Sequence, residues 1–219
     1  MVTYEQVLQD PAVNTYIRKA DESLAALNYT EHSFAHVGLV ARMSRYILET
    51  LGCPERDLRL VQIAAHLHDI GNLVNRNDHC QSGGILAFRI LTDLGMPPEE
   101  VAEIVTAIGN HDEGMGYPVS DLAAALILAD KSDVRRSRVR NEDISSFDIH
   151  DRVNYSVEKT ELIIDPERTQ ILLRLVIDTR YGSVMDYFEI FLQRMILCRK
   201  AAEKLGLQFK LMINGQALI

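Results

Sequence analysis

The chain has 219 residues, a net charge of −8 and 47% hydrophobic residues, which is enough apolar material for a sizeable core and too acidic for a general nucleic-acid binder. No apolar run reaches the ~18 residues of a membrane span, and the opening Met-Val-Thr-Tyr-Glu-Gln lacks the basic and apolar stretches of a signal peptide. The three cysteines (Cys53, Cys80, Cys198) make neither a zinc spacing nor a disulfide framework, so the expectation is a cytoplasmic protein with no membrane partner and with Cys80 a packed thiol.

Thr3 and Gln6 have capping-box spacing for a short first helix. Asp10-Pro11 starts a second, with proline at the first helical position, running to about Asn28. A third is expected from about Glu31 to Leu51, stopped by Gly52. On it His36, Val40, Met43 and Ile47 recur at steps of three and four, which puts His36 on the buried stripe. Pro54 opens a central helix predicted to end at Gly71. From Leu58 to Ile70 this helix is apolar on nearly every side, as a buried helix is. Yet its last turn reads Ala65-His66-Leu67-His68-Asp69-Ile70-Gly71. Buried ionisable groups are costly unless they pair or bind a metal, and imidazole with carboxylate suits Fe, Mn or Zn. His66 and His68 lie about 200° apart around a helix, so both cannot face one ion.

Asn72 to Asp78 is a polar loop. Asp78, with Gln81 three residues on, reads as the cap of a helix to Leu94, with His79 in its first turn at the mouth of a site. Pro97-Pro98-Glu99-Glu100 opens another, striped by Val101, Ile104, Val105 and Ile108, and His111 falls at its end before a glycine-rich loop. Ser120 caps a helix from Asp121 to about Asp133, whose apolar run ends at Asp130 and Lys131. Arg135, Arg136, Arg138 and Arg140 follow. They are either a solvated basic face or a set that neutralises substrate phosphates, with Lys131 and Arg136 the preferred pair. Beyond residue 155 the pattern changes to strands at about 158–165, 169–178 and 207–213, with a long helix opened by Ser183 and Asp186. Met185, Tyr187, Phe188, Phe191 and Met195 on that helix read as core or as the face of a homodimer. The organisation expected is a helical metal-binding domain at 1–146 and an α+β C-terminal unit, ββαβ, at 147–219 packed on it.

His-Asp occurs at 68–69, 111–112 and 150–151, but only the first sits on an apolar helix followed by Ile-Gly. His36, in His-Val-Gly-Leu-Val-Ala, lies 32 residues before His68, and Asp130, in Leu-Ala-Asp-Lys, lies 61 after Asp69. On these motifs the chain resembles the HD-domain metal-dependent phosphohydrolases over roughly residues 30 to 135. The resemblance implies a mainly α fold, an HD-domain helical bundle here carrying a small C-terminal ββαβ appendage. It implies His36, His68, Asp69 and Asp130 as metal ligands, with Asp69 bridging two ions, and leaves His66 a structural hydrogen bond. His79 and His111, which alone would pass for loop histidines, match the two extra histidines of members that hold two or more ions. The implied cofactors are two divalent or mixed-valent transition metal ions, Fe or Mn foremost and Zn also compatible.

The activity implied is hydrolysis of a phosphate ester or anhydride in a small phosphorylated substrate, a nucleotide by expectation. Water activated between the ions would attack, while Lys131 and Arg136 stabilise the charge that develops. The pattern looks like the bacterial enzymes that cleave symmetrical dinucleoside polyphosphates. It departs from them in its C-terminal unit, and Asn72 stands where many family members have lysine. His32, one turn before His36, is placed beside the ligands or against substrate. Two rival readings use the same scaffold: a di-iron oxygenase, and a non-catalytic nucleotide-binding sensor, which need not keep every metal donor.

Overall fold

The computed structural model describes residues 2–219, and most of them are helical. Helix α1 (Tyr4–Gln9) has the predicted reciprocal box between Thr3 and Gln6. Helix α2 (Pro11–Ala26) is capped by Asp10, whose Oδ1 accepts from the amides of Ala12 and Val13. Helix α3 (Phe34–Thr50) begins later than the sequence suggests, because Ser33 is its cap and Glu31 is drawn away to Arg135. Helices α4 (Glu55–Leu67), α5 (His79–Asp93), α6 (Pro98–Gly109) and α7 (Asp121–Lys131) complete the bundle. Leu122 to Ala129 of α7 are all buried, and the four alanines among them let α3, α4 and α6 pack closely around the helix.

Two differences from the sequence reading shape the site. Helix α4 stops at Leu67, and Ile70–Leu73 forms a 3-10 turn instead of a last α-helical turn. The cause is the close approach of this turn to α5. A Cβ on Gly71 would overlap the carbonyl of His79 and come within 2.5 Å of the Gly83 amide, so the contact exists only with glycine there. The second difference is Asp78. It adopts a left-handed backbone, φ 56°, and its side chain caps nothing, so the predicted capping box with Gln81 does not form. That turn carries His79 inward, to a buried position and not to a rim.

Helix α8 (Ile149–Ser156) was not expected; Asp148 caps it through the Asp151 amide. Strands β1 (Val157–Ile164) and β2 (Gln170–Ile177) form an antiparallel hairpin. Helix α9 (Val184–Lys204) then crosses over so that β3 (Gln208–Ile213) pairs parallel to β2. A short β4 (Gln216–Ala217) closes a second hairpin across Asn214 and Gly215, both with positive φ, the backbone a two-residue turn requires. Ile171, Leu173, Leu175 and Ile177 alternate inward as predicted. Tyr187, Phe191 and Met195 are core residues, whereas Met185 is exposed. The core is continuous from α1 through the bundle into the sheet, and α9 lies directly against α7.

Candidate metal centre

Six His and Asp side chains from five segments converge beside α7. The Nε2 atoms of His36 and His68 are 3.3 Å apart. Each also faces Asp130 Oδ1, at 3.4 and 3.6 Å, and Asp69 Oδ2, at 3.4 and 3.2 Å. On the other side of Asp69, Oδ1 lies 3.4 Å from His79 Nε2, which is 3.1 Å from His111 Nε2. The two oxygens of one carboxylate thus point into two neighbouring donor sets. His36, His68 and Asp130 form one group with ligating atoms close enough to share an ion, and His68, Asp69 and His111 another. All six predicted ligands are therefore brought together.

The opposite edge of each ring shows how it is aimed. His68 Nδ1 donates to Ala65 O at 2.7 Å, His111 Nδ1 to Ile108 O at 2.6 Å and His79 Nδ1 to Arg76 O at 3.1 Å. A carbonyl oxygen can only accept, so each of these Nδ1 atoms carries a proton, and in its neutral form each ring turns a bare Nε2 toward the centre. His36 Nδ1 donates to the carboxylate of Asp133 at 2.7 Å. Outer partners of this kind fix the tautomer of metal-binding histidines and raise their basicity.

The electrostatics are those of a site suited to a cation. Burial lowers the His79 and His111 pKa values, leaving facing lone pairs that need a positive charge between them. Burial also lowers His68, but Asp69 and Asp130 outweigh it and raise the ring to about 10. Burial and Arg138 likewise pull His36 down, and the neighbouring carboxylates of Asp130, Asp133 and Asp69 reverse the sign. Burial would raise the two carboxyls, yet His68 and His36 beside Asp69, and Lys131 beside Asp130, hold both well below the usual range. Asp69 Oδ2 is buried and makes no hydrogen bond among the described residues. An oxygen left this way fits a metal ligand better than a structural carboxylate.

The centre opens into a cavity of about 610 Å³ lined by residues of the bundle, of α8 and of α9. Lys131 reaches it, but its Nζ is held by Asp130 Oδ2 at 2.8 Å and Glu113 Oε2 at 2.7 Å. Arg136 does not, and the expectation for it is corrected: its Nε donates to Tyr155 O at 2.6 Å and its guanidinium stacks on Tyr155 and Tyr181. Arg76, Arg138 and Arg194 line the cavity instead. His32 also lines it, with Nδ1 donating to Thr30 O at 2.6 Å. His66 makes no hydrogen bond among the described residues, contrary to expectation; it packs against the rings of Tyr4 and Phe34.

Asp133 and Arg194 went unnoticed in the sequence. Asp133 carries no local signal, because its partner His36 is 97 positions away. Arg194 did carry one: it shares the stripe of Tyr187, Phe191 and Cys198, and a charge on an apolar stripe marks a functional position. Asn72, the off-pattern residue, donates to Asp69 Oδ1 at 3.1 Å and so steadies the carboxylate between the two donor sets.

The chain is 27% identical over 203 residues to the uncharacterized protein MJ1020 of Methanocaldococcus jannaschii, covering 82% of this chain and 77% of that one. A crystal structure of a predicted HD superfamily hydrolase from an uncultured Thermotogales bacterium is 25% identical, with a TM-score of 0.45 over 57% of this chain and 67% of that one. The family model of the HD domain matches residues 33–135, a span that holds all six converging side chains. Over that span, a little under half of the chain, the sequence matches the HD domain family.

Proposed function

We propose that this protein is a metal-dependent phosphohydrolase acting on a small phosphorylated substrate, with a nucleotide the class expected. The observation that supports it most is Asp69, whose two oxygens face two separate sets of donors. His36, His68, Asp69 and Asp130 would hold one ion, and Asp69, His79 and His111 a second, with Fe or Mn favoured and Zn compatible with the same N and O donors. When bound, such ions supply an activated water at neutral pH and polarise phosphoryl oxygens.

The chain's own residues do the rest. The carbonyls of Ala65, Ile108 and Arg76 hold three imidazoles in the ligating tautomer, and Asp133 holds the fourth ring by its Nδ1–H. Lys131 orients the Asp130 carboxylate from its outer oxygen. Burial of the ligands keeps bulk water from competing with these interactions. A cavity of about 610 Å³ is within the usual range for a nucleotide-sized ligand and much larger than phosphate needs.

The test is metal analysis of protein purified without chelators, followed by an anaerobic screen of phosphate monoesters, diesters and nucleotides. Phosphate release without oxygen is the expected result. Oxygen uptake that depends on substrate, with no phosphate released, would refute it. Asp69→Ala should lose both metal and turnover while the helical circular dichroism is retained.

A further inference from the structure

A phosphoryl group needs cations near the metal centre, and the HD segment of this chain supplies few. Asn72, the side chain that bonds Asp69, is neutral. Lys131 is already paired with Asp130, Glu113 and, at 3.9 Å, Asp112. Two arginines from beyond residue 135 reach the same cavity. Arg138 is buried, and its Nε and Nη1 are fixed by the carbonyls of Glu31 and Asp133 at 2.9 and 2.8 Å. Arg194 lies over the Phe191 ring at 4.5 Å, and its Nε donates to Glu113 Oε1 at 2.9 Å. Among the described residues nothing accepts a hydrogen bond from Arg138 Nη2, or from either terminal nitrogen of Arg194. Both guanidiniums are thus held from behind, with free N–H groups on the cavity side.

We infer that Arg138 and Arg194 form the substrate-phosphate clamp of this site, so that α9 completes an active centre whose metal ligands all belong to the bundle. Guanidinium N–H groups held in a fixed plane match phosphoryl oxygens in pairs. Glu113 has a defined part. Its carboxylate bridges Arg194 and Lys131, where it acts as an internal counter-ion that an incoming phosphoryl group must outcompete. It sits at the start of the loop containing Gly114 and Gly116. The inference rests on the phosphohydrolase reading only for the identity of the anion.

Binding of inorganic phosphate and of pyrophosphate to the full-length protein, measured by calorimetry before and after metal removal, tests the clamp separately from turnover. Arg194→Gln should weaken binding roughly 10- to 100-fold, and Arg194→Lys should restore part of it, with metal content and Tm held. Glu113→Gln decides between clamp and strut. Removing a competing counter-ion should tighten phosphate binding several-fold, whereas a merely structural Arg194–Glu113 pair requires both variants to lower Tm alike and to leave binding unchanged. Wild-type binding retained in Arg194→Gln, or no binding of either anion by the wild type at millimolar concentration, would overturn the clamp. Anion binding that depends on Arg194 in a protein that releases no phosphate from any ester would uphold it and refute the hydrolase.

Discussion

His36 Nδ1 and Asp133 Oδ2 are 2.7 Å apart, both buried, and join the first turn of α3 to the residue that follows the end of α7 by two. Asp133 is itself fixed, since its Oδ1 accepts from Arg135 Nε at 2.8 Å, and Arg135 continues to Glu31 at 2.9 Å. The ring of His36 is therefore aimed by a chain of three charged groups. Asp133→Ala should lower metal affinity by ~10- to 100-fold while all six ligands remain. Competition against a chromophoric chelator measures this, and unchanged affinity would remove Asp133 from the centre.

Metal loading should release protons. In the metal-free protein His68 has its pKa raised to about 10, so at pH 8 it is charged, whereas a ligating imidazole must be neutral. The sign for stability follows. The folded value lies above the unfolded ~6.5, so this contribution to the metal-free protein is complete below pH ~6.5 and is lost as pH rises through about 10. Calorimetric titration with Mn²⁺ or Zn²⁺ in two buffers of different ionisation heat should show proton release, and chelation of loaded protein should lower Tm.

His66 behaves in the opposite sense. Burial, with the charge of His68 adding, pushes its pKa down to about 4. The unfolded chain then takes up this proton first, so stability is unaffected above pH ~6.5 and falls between there and about 4, by up to about 3 kcal/mol. Denaturation of metal-free His66→Leu should show a shallower acid loss than the parent protein. Parallel curves would mean that another group governs this range.

Arg136→Ala should leave kcat and KM unchanged and cost about 1–2 kcal/mol of stability. Its guanidinium packs against Tyr155 and Tyr181 and ties α8 to the 3-10 turn Arg136–Arg138. Urea denaturation beside steady-state kinetics separates the two effects.

The contrast between Arg136 and Arg138 shows where sequence reasoning runs out. His68, Asp69 and Asp130 stood out because charge at the end of an apolar helix is costly unless it is paired or metal-bound, and the resemblance to a known family joined His36 to them as candidate ligands. The arginines follow the helix on a 3-10 turn two residues apart, and no periodicity says which one turns inward. The depth of His79 was hidden for a similar reason, since it depends on a single left-handed residue, Asp78. Helix α8 is short and polar, so it gave no stripe to read. Strand β4 did have a signal, the Asn214-Gly215 dipeptide, which favours a two-residue hairpin turn.

The placement of Arg194 on α9 has a consequence for biosynthesis. A growing polypeptide has all six ligands once Asp130 has left the ribosome, 64 residues before Arg194. Helix α9 packs against α7 and against β3, the strand made after it that pairs beside β2. Translation thus leaves an interval in which all six side chains have been made but the cavity wall that carries Arg194 has not.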